Sequence, residues 1–322
     1  MRVVRLMTVA AVSAFGVFSG AARAQFGEGP NKGPKLAPDE VIERWQIGVS
    51  VRAAEGPCSD IEGTVALPGD WPEQQAKIIA EDFSPFINRI DYRMVDNVKQ
   101  LIVSAPELPA GEEAHALITF DIARHALLPP DDTAGLVKAN PKKLPKNMRH
   151  YLGPSPGIEI QHAKIKALAK RLGQESAELS DWQKVESLFD WVRENVQQID
   201  QQKKPGAMQA FKDKQSNHEG MCFLFVALCR ASDVPARTVW VPKYCYPEFY
   251  LQDADGNGYW FPSQIAGTRS FGGINENRPI WQKGDNFRLP EAPRDPVRYI
   301  PPNLTAKGSN PQVEFVRKAL GR

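Results

Sequence analysis

Between residues 41 and 128 apolar and polar residues alternate with a period of two. The runs are Trp45 to Arg52, Ile61 to Leu67, Ile87 to Arg93, Lys99 to Ser104 and Ala114 to Arg124, separated by Pro, Gly and Asp turns. In an extended chain successive side chains point to opposite faces, so this alternation predicts strands with one buried face and, together, a small N-terminal β-sandwich. Residues 129–157 break the pattern with Pro129-Pro-Asp-Asp132 and Asn140-Pro-Lys-Lys-Leu-Pro-Lys146 and read as a linker.

The period then changes to that of a helix. Ile165, Leu168 and Leu172 form one short apolar stripe, and Trp182, Val185, Leu188, Phe189, Val192 and Val196 a longer one that Ser180 opens as N-cap. Trp182 and Trp191 on such a helix read as core residues. A third helix starts at Ser216 or Asn217, carries an almost wholly apolar body from Phe223 to Leu228 and stops at Asp233-Val-Pro235, which predicts a helix buried in the core. Strand runs follow at 239–241 and 248–251, then an Asp255-Gly-Asn-Gly258 hairpin turn before Tyr259-Trp-Phe261. From about residue 291 the chain is Pro rich and closes on a short amphipathic stretch, Val313 to Leu320. The expected organisation is thus a segment 1–24 treated below, a flexible lead 25–40, a sandwich 41–128, a linker 129–157, a second domain 158–290 and a tail 291–322.

Composition adds a compartment. The 322 residues are 42% hydrophobic and 24% charged, an ordinary globular balance. Arg2 and Arg5 precede an apolar run from Leu6 to Phe18, and Ala22-Arg-Ala24 supplies a small-x-small cleavage site, the pattern of a secretory signal peptide too short to span a bilayer. Residues 1–24 hold three arginines and no acid, so their removal leaves 40 − 3 = 37 basic against 38 acidic residues. No transmembrane segment is expected after cleavage, and no basic stripe with interleaved aromatics marks a nucleic-acid partner. The expected location is periplasmic or extracellular, where Cys58, Cys222, Cys229 and Cys245 could pair; Cys222 and Cys229, seven residues apart on one helix, lie about 10 Å apart and cannot. No cofactor is implied. His218 and Cys222 would need two further ligands to hold a metal, and only Glu219 and Cys245 are at hand.

The stretch from Leu224-Phe-Val-Ala-Leu-Cys-Arg-Ala231, with Val234-Pro-Ala-Arg-Thr-Val239, Cys245-Tyr-Pro-Glu-Phe-Tyr-Leu251 and Trp260-Phe-Pro-Ser-Gln264, resembles the transglutaminase-like superfamily over roughly residues 160–290. Trp45-Gln-Ile-Gly48 and Asp70 to Gln74 match secreted bacterial members more loosely. The resemblance implies an α+β protein: an N-terminal β-sandwich followed by a papain-like core of helices packed on an antiparallel sheet. It also implies a Cys, His, Asp triad, but those three places hold His218, Tyr244 and Gln264, with Ser216-Asn217 where Gly-Asp is usual. A thiolate at a helix N-terminus is stabilised by the helix dipole and free NH groups, and a histidine opposite takes and returns the proton. An imidazole cannot form the thioester, and a phenol near its reference pKa of about 10 is a poor base at neutral pH.

The five histidines stand at 115, 125, 150, 162 and 218, so none follows Cys222 in the chain. The expected function is a pseudoenzyme that binds a peptide or protein in the old cleft, lined by His218, Glu219, Tyr244, Tyr246 and Gln264. Two readings stay open beside it: a cysteine acyl-transferase or peptidase using Cys222 with His218 one helical turn away, and a structural envelope component. Arg230 reads as a buried or half-buried pairing residue and Arg237 as support on the strand face. Asp233, where the superfamily usually has Gly, is expected to tolerate the left-handed conformation of a helix C-terminus.

Overall fold

A computed structural model describes residues 32–200 and 205–321. The leader 1–24 lies outside the described residues, as do residues 25–31 of the lead and Arg322.

The alternating runs become the strands of a two-sheet sandwich. In chain order they are β1 (Lys35–Arg52), β2 (Cys58–Ala66), β3 (Gln74–Phe83), β4 (Arg89–Val95), β5 (Val98–Leu108) and β6 (Glu113–Leu128). The lead is shorter than expected, because β1 already pairs with β6 from Lys35. Strand β3 escapes sequence reading for a physical reason. Its residues are mostly exposed and do not alternate, since it runs along the edge of its sheet and pairs only with β6. Ile47 and Val49 of β1 meet Val65, Leu101 and Val103 of the facing sheet to form the sandwich core. Between Ile47 and Val49, a Cβ on Gly48 would lie 1.9 Å from the Ala116 carbonyl oxygen, so glycine is what lets β1 and β6 approach.

The connecting stretch contains the one-turn helix α1 (Lys146–Arg149) and is no bare linker. Leu136, Ala139, Leu144 and Tyr151 in it are buried, and Val137 exchanges backbone hydrogen bonds with Gln252. Helices α2 (Ala163–Glu175) and α3 (Asp181–Asn195) follow, then a parallel two-strand pair, β7 (Gln197–Gln198) with β8 (Gln215–Ser216), around the short helix α4 (Ala207–Asp213). Ser180 caps α3 with a full capping box to Gln183, as its sequence predicts. Trp182 packs edge-on against Phe249, Phe261 and Phe271, the core role expected of it.

Helix α5 (His218–Ala231) crosses the centre of this domain, with every residue from Gly220 to Arg230 buried. Asp233 follows it at φ 61°, the left-handed conformation expected after the helix. The helix rests on an antiparallel sheet of β9 (Ala236–Val241), β10 (Tyr244–Gln252), β11 (Gly258–Gln264), β12 (Ser270–Phe271) and β13 (Gln282–Lys283), ordered β12-β11-β10-β9-β13. A hairpin, β14 (Phe287–Leu289) with β15 (Ala292–Val297), leads back towards the sandwich.

The C-terminal stretch, expected as a docking tail, supplies β16 (Asn303–Gly308) beside β2 and β17 (Gln312–Gly321) beside β1. Each sandwich sheet therefore has four strands, ordered β17-β1-β6-β3 and β16-β2-β5-β4, and is completed by residues about 250 positions away from its first strand. The amphipathic pattern of residues 313–320 is that of an edge strand. Among the described residues no helix is long and apolar enough to cross a membrane.

Candidate functional site

Asn217 is the N-cap of α5: its side chain accepts the Gly220 N–H at 3.0 Å. A Cβ on Gly220 would lie 2.0 Å from Ser216 Oγ and 2.9 Å from Pro205 Cβ, so the first turn is seated tightly against the segment before it. His218 is the first helical residue. Its ring lies against Tyr244 at the start of β10, with centroids 4.8 Å apart and planes inclined by 35°. Burial lowers the His218 pKa and nearby Arg278 lowers it further, while Asp200 opposes them, so the imidazole is neutral at pH 7.

Tyr244 is held from three sides. Its hydroxyl makes a long 3.5 Å bond to the Ala266 carbonyl, the Arg278 guanidinium sits 5.1 Å from its ring centroid, and His218 covers the ring. Burial raises its pKa well above the ordinary phenol value, with Cys245 and Cys222 adding to the rise. This phenol stays protonated throughout the physiological range and cannot serve there as a base.

Cys222, one turn into α5, has no solvent exposure. Its Sγ lies 3.9 Å from Thr238 Oγ1 and bonds the Cys245 thiol, whose own pKa is pushed well up by burial and by Cys222. Among the described residues no hydrogen bond connects Cys222 with His218. All four cysteines are free and buried. No group of three or more His, Cys, Asp or Glu side chains among the described residues stands where it could hold a metal ion.

An open cleft lies beside the first turn of α5, and of the five residues expected to line a cleft it is lined by three. His218, Glu219 and Tyr244 face this cleft of about 1920 Å³. Glu219 pairs there with Arg298 at 2.9 Å. Tyr246 does not reach the cleft. Strand alternation turns Cys245 towards α5 and Tyr246 to the opposite face of the sheet, where its hydroxyl accepts a 3.0 Å bond from fully buried Arg124 of the sandwich. Gln264 is also absent from the cleft wall. It pairs with Ser270 at the end of β11, and its carbonyl oxygen, with those of Ile265 and Gly267, accepts from the Arg193 guanidinium.

Sequence reasoning missed the far wall. Trp45, Trp281, Tyr299, Arg298 and Arg317 line the cleft together with Trp240. They come from the sandwich, from the loop before β13 and from the Pro-rich return. No local pattern joins them; the sole sequence signal was the density of Trp, Tyr and Arg among prolines.

Beneath the cleft two buried ionic groups fix the frame. Arg230 donates to Asp285 at 2.7 and 2.8 Å and to the Ala236 and Gly153 carbonyls, while Asp285 also accepts from Thr238 N and Ser155 Oγ. Arg237 donates to Glu248 at 2.6 Å; Lys283 bridges Glu248 at 2.7 Å to Glu73 at 2.6 Å, and Arg124 lies 3.4 Å from Glu73. Arg230 is thus a buried pairing residue, Arg237 on β9 pairs across to Glu248 on β10, and the second group joins the α5 domain to the sandwich.

The sequence pattern of the transglutaminase-like superfamily matches residues 166–264. No curated protein matches the chain. Among solved structures, a protein from Cytophaga hutchinsonii named “putative cysteine protease” shares 15% identity, with a TM-score of 0.51 over 88% of this chain and 93% of that one. The periplasmic domain of TgpA from Pseudomonas aeruginosa, bound to ethylmercury, shares 10% identity at a TM-score of 0.34, covering 71% of this chain and 90% of that one. The first likeness extends the shared fold well beyond the matched segment. Residues 166–264, which hold the buried helix α5 and most of its antiparallel sheet, are thus a transglutaminase-like segment.

Proposed function

We propose that this is an exported transglutaminase-like protein that has lost acyl transfer and holds a peptide or protein segment in the cleft before His218. One observation carries the reading. At the helix N-terminus, where the superfamily's thiolate would stand, a neutral imidazole packs against a protonated phenol, and Cys222, one helical turn on, is sealed from solvent. A thioester needs a thiolate that a carbonyl carbon can reach, and this thiol meets neither condition. The open cleft, walled by aromatic and charged side chains, is what such a scaffold retains for binding. The leader of residues 1–24 supports export, and N-terminal sequencing of the secreted chain should begin at Gln25.

Two measurements test the reading. Iodoacetate at pH 6 should modify Cys222 no faster than the protein unfolds; rapid modification that slows in His218→Ala would establish the Cys222–His218 dyad instead. Peptide-library screening should find saturable binding that Tyr244→Ala weakens at least tenfold. A cleft that takes no peptide would leave a structural envelope role.

A further inference from the structure

The cleft runs past His218 onto residues beyond the superfamily match, and there its chemistry changes. Two aromatic pairs form a ledge: Trp45 against Trp281 with centroids 5.1 Å apart at 84°, and Trp240 against Tyr299 at 5.3 Å and 68°. The Arg317 guanidinium lies over both, 5.4 Å from the Trp281 ring and 5.6 Å from the Tyr299 ring. It donates Nη1 to the Tyr299 hydroxyl and, at 3.5 Å, Nη2 to the Ala66 carbonyl. A guanidinium has five N–H donors, so three are left over.

The charges in the cleft are unevenly satisfied. Its three acids all have partners: Glu219 pairs with Arg298, Glu159 accepts the Met208 N–H, and Asp213 accepts from Gln209. Among the described residues Arg317, Lys243 and Lys212 line the same cleft without any carboxylate partner, and of these Arg317 is the one fixed against aromatic rings. An arginine fixed against aromatic faces has already lost much of its rotamer freedom, so seating an anion on it costs less ordering than on a free side chain.

We propose that this outer end is a carboxylate-recognition subsite. Arg317, supported by Lys243, takes the carboxylate of an extended peptide, whether an Asp or Glu side chain or the C-terminus, while apolar side chains lie on the Trp45–Trp281 and Trp240–Tyr299 ledge. This rests on the peptide-binding reading of the cleft and names what the cleft selects.

The test uses the full chain after leader removal and fluorescent octapeptides in four forms: internal Asp or Glu with an amidated end, the Asn or Gln isosteres, a neutral sequence with a free C-terminal acid, and the same sequence amidated. Acid forms should bind roughly tenfold or more tighter than their amide isosteres, the size of one charge-assisted hydrogen-bonded contact. Comparing the two acid arms separates side-chain from C-terminal recognition. Arg317→Met, which keeps the stem over the rings, should erase the preference of acid over amide forms. Should that variant fail to fold, Lys243→Asn on the exposed turn between β9 and β10 should still reduce the preference. Equal binding of acid and amide forms, or a preference that survives Arg317→Met, overturns the subsite and leaves the peptide cleft intact. Failure of every peptide to bind overturns both.

Discussion

His218 illustrates how a single position is decided by its surroundings. Burial, then Arg278, depress its pKa, with Asp200 opposing. The unfolded chain, with an ordinary imidazole, binds more protons just below pH 6.5 than the folded one, so the stability contributed by neutral His218 is present above that pH and declines as pH falls below it. The His218 ring protons, assigned by their loss in His218→Gln, should titrate below 6.5 in an NMR series; a midpoint above 6.5 would place a carboxylate beside the ring. Tyr246 shows where the residue scale deceives. It was expected to line the cleft, yet both Tyr244 and Tyr246 belong to a strand whose opposite face carries Cys245 towards α5. Tyr244 stands at the strand's end, where its ring meets His218 in the first turn of the helix.

Helix α5 was the most legible element, because its cap, apolar body and stop are local signals. Asn217 accepts the Gly220 N–H, and Asn217→Ala should cost about 1 kcal/mol of stability in denaturant unfolding. Gly220→Ala should cost more, about 1–3 kcal/mol, since its Cβ would collide with Ser216 Oγ. If Gly220→Ala proves neutral or stabilising, the tight seat of the first turn is wrong. Strands β3, β16 and β17 were illegible for a common reason. They are edge strands with largely solvent-exposed residues, so little apolar surface marks them; of β16 only Leu304 and Ala306 reach the core, and prolines precede the last two.

At the scale of the whole molecule, the sandwich and the α5 domain meet through the buried group of Arg124, Glu73, Lys283, Glu248 and Arg237. Burial alone would raise the Glu73 pKa, but Lys283 and Arg124 overcome it and hold the group at about 2. Its contribution is therefore complete above the ordinary carboxylate value and is lost as pH falls from about 4.5 towards 2. Lys283→Met removes the ammonium shared by two buried carboxylates, leaving Glu248 with Arg237 and Glu73 with Arg124 alone, and should destabilise by about 3 kcal/mol at pH 7. It should also move the acid-unfolding midpoint, followed by Trp fluorescence, to higher pH. An unshifted midpoint would mean that this contact does not hold the two domains together. The sequence by itself determined the sandwich's inner strands, the capped helices and the likeness of residues 166–264 to the transglutaminase-like superfamily, because periodicity, caps and motifs act over a few neighbouring positions. Only the tertiary structure decided that Cys222 is sealed, that Tyr246 and Gln264 leave the cleft, and that Trp45, Trp281, Tyr299 and Arg317 build its outer wall. Those outcomes depend on which strand face meets the helix and on a C-terminal segment returning to the first strands, contacts between residues too distant in the chain to leave a local pattern.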